Sequence, residues 1–289
     1  MKTENKITII VDCNYVCYVN KFAMSKGLSY KGNRTEIIFG FLRHINELAR
    51  HFETKQFAFC WDSRKSLRKE IYPEYKINRR VNQTSEDIEL DKIAYLQFNE
   101  IKDVILSKIG FKNIFEKEGY ESDDIIASIV KNNQGRFIVV SSDNDLFQLL
   151  DHCSLYNISK KSLTTKIIFE REHSIPVEKW YLVKTIAGCP SDNVTGIPGI
   201  GEKTAIKYLR GLLKTGAKAS AIESIQSSNL FKRNIELVTL PFDGTGTFNM
   251  KFDETFAEKD FIGVCENYGF ESFLSRKYLQ SWIKLFGMK

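Results

Sequence analysis

The chain is poor in the residues that build metal sites from nitrogen and sulfur. Its four histidines are scattered. Its six cysteines, Cys13, Cys17, Cys60, Cys153, Cys189 and Cys265, contain no Cys-x-x-Cys pair. That usage excludes a zinc ribbon and offers no disulfide framework. No serine–histidine or cysteine–histidine constellation suggests a side-chain nucleophile. The N-terminus lacks a signal-peptide core, and no apolar run approaches the roughly 20 residues that cross a bilayer. Internal repeats and low-complexity segments are also missing. The expectation is a soluble protein of a reducing, cytoplasmic compartment, with no membrane partner. Its 289 residues suit one large domain or two smaller ones, and an apolar content of 43% suffices for a core.

What the chain has is carboxylates in particular places. In Gly119-Tyr120-Glu121-Ser122-Asp123-Asp124-Ile125-Ile126-Ala127, three acids open an apolar helical run. Glu121 and Asp124 are three apart and share a helix face, with Asp123 beside them. Like charges so close repel unless a cation or strong donors intervene. Oxygen donors at this density suit magnesium or manganese better than zinc. A single acid here would read as a helix N-terminus, where the dipole favours negative charge. Other acids at strand ends shift the reading toward metal.

Ile7 to Val11 is an apolar run ending at Asp12, and Gln56 to Cys60 is followed by Trp61-Asp62. Arg136 to Ser141 runs into Ser142-Asp143-Asn144-Asp145. Each reads as a buried parallel strand with an acid at its C-terminal end, where ligands gather in open α/β sheets. Phe111 to Phe115 reads as a short strand, and Ser154 to Ile158 with Thr165 to Phe169 as a terminal strand pair. Helices are expected from Asn14, over Glu36 to His51 and over Ile88 to Ile109, with a polar turn at Gly27 to Arg34. The alternation predicts an α/β domain with a mostly parallel sheet. Beyond about residue 172 the strand pattern stops. A helix runs from Pro176 to Ala187, and the remainder is mainly helical with a looser stretch from Pro241 to Asp253.

Two further stretches carry charge or glycine. Arg64 to Arg80 is basic, contains Arg68, Lys76 and Arg79, and is interleaved with Tyr72 and Tyr75. That mixture fits phosphate contacts with base stacking, although a charge run is more often a solvated face. Val81 to Glu86 is polar and expected to be mobile. Gly196, Gly199 and Gly201 precede Glu202-Lys203-Thr204-Ala205, a tight hairpin followed by a helix N-terminus, which holds phosphate without reading sequence. The chain has 42 Lys+Arg against 36 Asp+Glu. With eight acids set aside for a metal site, 28 face 42 bases, a basic exterior suited to a polyanion.

Together, Val11-Asp12-Cys13-Asn14, Phe59-Cys60-Trp61-Asp62, Tyr75 to Arg79, Gly119 to Asp124, Ser142 to Leu149 and Ser191 to Ala205 resemble the flap endonuclease family. That family includes the 5′-nuclease domain of bacterial DNA polymerase I and stand-alone phage 5′-3′ exonucleases. The pieces stand in the family's order from about Ile7 to Leu209. No polymerase domain follows, so a stand-alone member is expected.

The resemblance implies a PIN-like nuclease domain over 1–172, with an arch at about 64–100 that admits a free 5′ strand. It implies a helical region over 173–289, with a helix-three-turn-helix module at about 188–212. It also implies two divalent ions, magnesium or manganese. Asp12, Asp62, Glu121, Asp123 and Asp124 match the first site, and Asp143, Asp145 and Asp192 the second. Lys76 matches the lysine that contacts the scissile phosphate, with Arg79 adding charge. Arg68 is expected on the DNA, Tyr75 on the terminal base, and Gly199, Gly201 and Lys203 on duplex phosphates. In the family this hairpin can also hold potassium. Cys189 stands where the family usually has an aspartate. The expected protein is a monomer that cleaves flap, branched or nicked DNA in replication or repair, with RNA–DNA hybrid as a further partner. The competing readings are a DNA-junction binder with weakened catalysis, which eight surviving acids oppose, and a PIN-like ribonuclease, which the hairpin opposes.

Overall fold

A computed structural model describes residues 6–23, 27–81 and 83–289. β1 (Ile7–Asp12) leads directly into α1 (Cys13–Ala23). A short antiparallel pair, Ser29–Tyr30 with Asn33–Arg34, precedes α2 (Glu36–His51) and β2 (Gln56–Cys60). Next come α3 (Arg68–Ile71), a tight turn at Ile77–Arg80, and α4 (Ser85–Glu100), which continues through a π-helical turn at Ile101–Ile105 into α5 (Leu106–Ile109). β3 (Ile114–Phe115), α6 (Ser122–Asn132), β4 (Arg136–Val140), β5 (Cys153–Asn157) and β6 (Ser162–Thr164) complete the sheet. The rest is α7 (Lys166–His173), α8 (Trp180–Ala187), a two-residue strand pair at Gly188–Cys189 and Val194–Thr195, α9 (Glu202–Leu209), α10 (Ala217–Ile225), α11 (Asn229–Val238), α12 (Glu258–Tyr268), α13 (Glu271–Leu274) and α14 (Arg276–Phe286).

The sheet order is β3-β2-β1-β4-β5-β6, parallel except for β6. The apolar run of β1 follows from its place: it pairs with β2 on one side and β4 on the other and is covered on both faces. The chain builds outward from β1 to β3, then returns to the other side of β1 with β4. That reversal opens a crevice beyond the C-terminal strand ends. Asp12, Asp62 and Asp143 lie at or just past the ends of β1, β2 and β4.

One face of the sheet, with Ile9, Val11, Phe57 and Phe59, packs against α1, α2 and α4, and the C-terminal Phe256, Phe261, Trp282 and Phe286 join the same core. The other face, with Ile10, Ala58 and Val139, packs against α6, α8 and α9 through Ile125, Ile129, Trp180 and Ala205. No helix among the described residues is long and apolar enough to cross a membrane.

Two local expectations need correction. Thr165 to Phe169 is not a strand. Thr165 caps α7, its hydroxyl accepting from the Ile168 amide at 3.4 Å, and the partner of β5 is Ser162–Thr164 instead. Ile167 and Phe169 are apolar and two apart, the spacing of one strand face, but the helix exposes the first and buries the second; a run this short cannot separate the two periods in sequence. The second correction is that Thr84, inside the stretch expected to be mobile, forms a capping box with Asp87 and starts α4. Asn82 lies outside the described residues.

Candidate active site

Short backbone links deliver the acids to one place. Because α1 follows β1 without a loop, Asp12 Oδ1 accepts from the Tyr15 amide at 3.2 Å, while Oδ2 accepts from Ser141 Oγ at 2.9 Å, just past β4. Asp62 Oδ1 accepts from the Ser122 amide at 2.7 Å, and the Asp62 amide donates to Asn14 Oδ1 at 3.2 Å. Three strand ends and the start of α6 are thereby tied together. Glu121 and Asp123 sit at that helix start, where the dipole favours their charge. Asp143 Oδ1 accepts from the Asp145 amide at 2.8 Å.

The electrostatics show too much negative charge in too little water. Burial, then Asp62, pushes Asp12 up to about 7. Burial and Asp145 push Asp143 up to about 6. Asp123 is driven well above the carboxylate range by burial, Asp143 and Asp12, and burial raises Asp62 against the pull of Lys76. Glu121 goes the other way: burial would raise it, but Lys76 at 2.7 Å and Arg68 at 3.7 Å hold it low. Crowded oxygens of this kind, partly screened from water, fit a hard divalent cation, whose charge relieves what the protein alone leaves strained.

A pH dependence follows. The folded-state values of Asp12 and Asp143 are raised, so their favourable contribution is complete below the ordinary carboxylate range and is lost as pH rises through about 6 to 7. The metal-free protein is expected to melt at progressively lower temperature from pH 5 to pH 8, and magnesium to flatten that slope. Thermal scans with chelator and with magnesium check this, and parallel slopes would count against a cation site here.

Three side chains are not where the sequence put them. Asp124 is fully buried and turned onto Arg68. Its Oδ2 accepts from Arg68 Nη1 at 2.7 Å and the Glu121 amide at 3.0 Å, and its Oδ1 from Arg68 Nη2 at 2.8 Å and the Phe242 amide at 2.9 Å. Four donors fill both oxygens, so none is left to ligate. Arg68, expected on DNA, is 2% exposed and spends its Nε on the Leu237 carbonyl at 2.9 Å. Tyr75, expected to stack on a base, is 3% exposed, with its hydroxyl 3.1 Å from both Glu121 Oε2 and Asp192 Oδ2. The reason is common to all three. The segment after β2 folds inward onto α6 and α11 before it turns outward at Lys76.

Lys76 makes that turn in a left-handed backbone conformation, φ 56°, and aims its ammonium at Glu121. Burial alone would lower its pKa, but Glu121 and Asp192 raise it, so it stays charged. Arg79 Nη2 donates to Asp192 Oδ1 at 2.7 Å. Asp145, Cys189 and Asp192 converge nearby. Gly199, Gly201 and Lys203 are exposed at the start of α9, beside a surface depression of about 500 Å³ lined mainly by residues 193–201. A side chain at Gly196 would strike the Ala187 carbonyl at 2.2 Å, so the hairpin needs glycine there to close.

Residues 7–174 match the family described as the 5′-3′ exonuclease N-terminal resolvase-like domain. The chain belongs to the 5′-3′ exonuclease family. It is 31% identical to a 5′-3′ exonuclease of Buchnera aphidicola over 231 residues, covering 78% of this chain and 77% of the relative. Identity to DNA polymerase I of Deinococcus radiodurans is also 31%, over 205 residues, of which this chain spans 20% of the length. Among solved structures, the T5 D15 protein co-crystallised with metal ions superposes with a TM-score of 0.68 at 26% identity, over 81% of this chain and 90% of that one.

Sequence reasoning missed the supports of this exonuclease-family site. Ser141, Ser122 and Asn14 hold Asp12 and Asp62 by single hydrogen bonds, and nothing in a lone serine or asparagine announces that. Lys184 had a signal. It sits in a helix whose Trp180, Val183 and Ile186 are buried, and a buried lysine needs acids. It finds Asp145 Oδ1 at 3.0 Å and Glu202 Oε1 at 2.9 Å.

Proposed function

We propose that this chain is a 5′ nuclease that uses two divalent ions, magnesium or manganese, to hydrolyse phosphodiester bonds at flaps, branches and nicks in DNA. The observation that carries the reading is the gathering of acids at the sheet's reversal point, Asp12, Glu121 and Asp192 buried and the others lining the crevice, with the cations Lys76 and Arg79 leaning over them. When bound, a pair of divalent ions supplies an activated water and charge for the leaving oxygen. Asp12, Asp62, Glu121 and Asp123 are assigned to the first, and Asp143, Asp145 and Asp192 to the second. Lys76 exchanges Glu121 for the reacting phosphate, and Arg79 adds positive charge beside it. The arch passes the single strand. The exposed hairpin at Gly199 and Gly201, with Lys203, holds duplex phosphates, and its carbonyls take potassium.

The first test is a labelled 5′-flap duplex incubated with and without magnesium, beside a copy whose flap is RNA. Magnesium-dependent release of the DNA flap supports the reading. Tight binding without cleavage would favour the junction binder, and preferred cutting of RNA the ribonuclease. Lys76→Ala is expected to slow single-turnover cleavage by about a hundredfold or more while changing flap affinity little. Equal losses in rate and affinity would make Lys76 an ordinary backbone contact.

A further inference from the structure

The second group of acids differs from the first in chemistry as well as position. Cys189 Sγ lies 3.5 Å from Asp145 Oδ2 and 3.1 Å from Ser191 Oγ. One ligand atom each from Asp145, Cys189 and Asp192 falls within 4.8 Å of the others. We propose that this is a mixed sulfur–oxygen site that selects thiophilic divalent ions of the zinc and cobalt type over magnesium, whereas the all-oxygen site around Asp12 keeps the hard ion. The inference rests on the reading of these acids as cation ligands and specifies which cation they take.

The spacing suits it. Tetrahedral zinc, with bonds of about 2.3 Å to sulfur and about 2.0 Å to oxygen, sets those two donors roughly 3.5 Å apart. Asp145 and Cys189 stand at that separation already. Three protein donors leave a fourth position open, as in sites that handle a substrate. The neighbours leave the inward lone pairs accessible. Lys184 engages Asp145 Oδ1 and leaves Oδ2 on the thiol side. Arg79 engages Asp192 Oδ1. The Tyr75 hydroxyl lies between Glu121 Oε2 and Asp192 Oδ2 but has one proton, so it donates to only one of them at a time. Ion binding breaks the S–H bond, forms a metal–thiolate bond and passes the proton to water. Magnesium, which prefers hard oxygens, gains little from the sulfur, so it fills this position weakly.

Cobalt reports on the site directly, because a thiolate ligand produces a charge-transfer absorption in the near ultraviolet that oxygen ligands do not. Titrating the metal-free protein with cobalt is expected to develop that band to saturation at one equivalent and to retain it in a large excess of magnesium. Cys189→Ser and Cys189→Asp, with unchanged circular dichroism, should both lack it. Cys189→Asp should also lower the magnesium needed for half-maximal cleavage by about tenfold, the lower end of the roughly 10- to 100-fold that even a ligand's supporting partners contribute to metal affinity. The proposal is overturned if no band appears, if magnesium abolishes it, or if the serine variant keeps it, which would trace it to another thiol. A protein that shows the band but does not cut DNA would sink the nuclease reading and leave this one standing. A protein that cuts DNA without the band would do the reverse.

Discussion

An Asp12→Asn variant is expected to cut a 5′-flap duplex on the order of a thousandfold more slowly than the parent in magnesium, the scale of losing a preorganised charge at a reacting centre. It should bind the same duplex as tightly as the parent, since Asp12 lies in the crevice floor, 7% exposed, and is held by the Tyr15 amide and Ser141 Oγ rather than by a basic side chain among the described residues. Without metal it should melt higher than the parent. The asparagine oxygen still accepts from the Tyr15 amide, its amide can donate to Ser141 Oγ, and the repulsion with Asp62 is gone. That gain has a pH signature. Asp12 titrates near 7, so the advantage should be full at pH 8 and shrink below pH 6, where the parent's carboxyl is itself protonated. Single-turnover rates, fluorescence anisotropy in chelator and thermal scans at the two pH values read the three claims separately. Cleavage at the parental rate would remove Asp12 from the reacting centre.

The strand ends were legible in the sequence because parallel strands buried on both faces leave continuous apolar runs, and an acid after such a run has few structural reasons to be there. β1 and β4 announce Asp12 and Asp143 in this way. Direction was harder to read than presence. Asp123 and Asp124 are neighbours, and helix geometry turns adjacent side chains about 100° apart. One therefore faces the crevice and the other the opposite wall, and spacing from Glu121 favoured the wrong one. Glu121 and Asp124 do share a face, but through a capping box in which Asp124 Oδ2 takes the Glu121 amide. Arg68 and Tyr75 were misread for a related reason. A basic, aromatic run looks solvated until a long-range partner is known, and theirs are Asp124, Leu237, Glu121 and Asp192, between 46 and 169 residues away.

Asp124→Asn is expected to be the most damaging single change for stability, about 3–5 kcal/mol, the cost of leaving one member of a buried pair alone. In a chain of this size that is a melting temperature lower by roughly 10 °C. The carboxylate accepts two guanidinium bonds and two backbone amides with both oxygens, in a fully buried position. An asparagine offers one oxygen and turns an NH2 group toward the remaining donors. Arg68 then keeps its charge in a site 2% exposed, with the Leu237 carbonyl at 2.9 Å and the Glu121 carboxylate at 3.7 Å as its remaining partners. Replacing both residues, as Arg68→Met with Asp124→Leu, removes the buried charge and should recover part of the loss. Recovery stays incomplete because the Glu121 and Phe242 amides and the Leu237 carbonyl each lose a partner, at about 1–3 kcal/mol apiece when unsatisfied. Magnesium titration separates this role from ligation. A lost ligand raises the magnesium needed for half-maximal cleavage while the fold keeps its stability. A lost tie lowers stability and, well below the melting point, leaves the titration close to the parent's. The four donors around Asp124 require the second pattern; a stable variant with a strongly shifted magnesium requirement would return Asp124 to the metal.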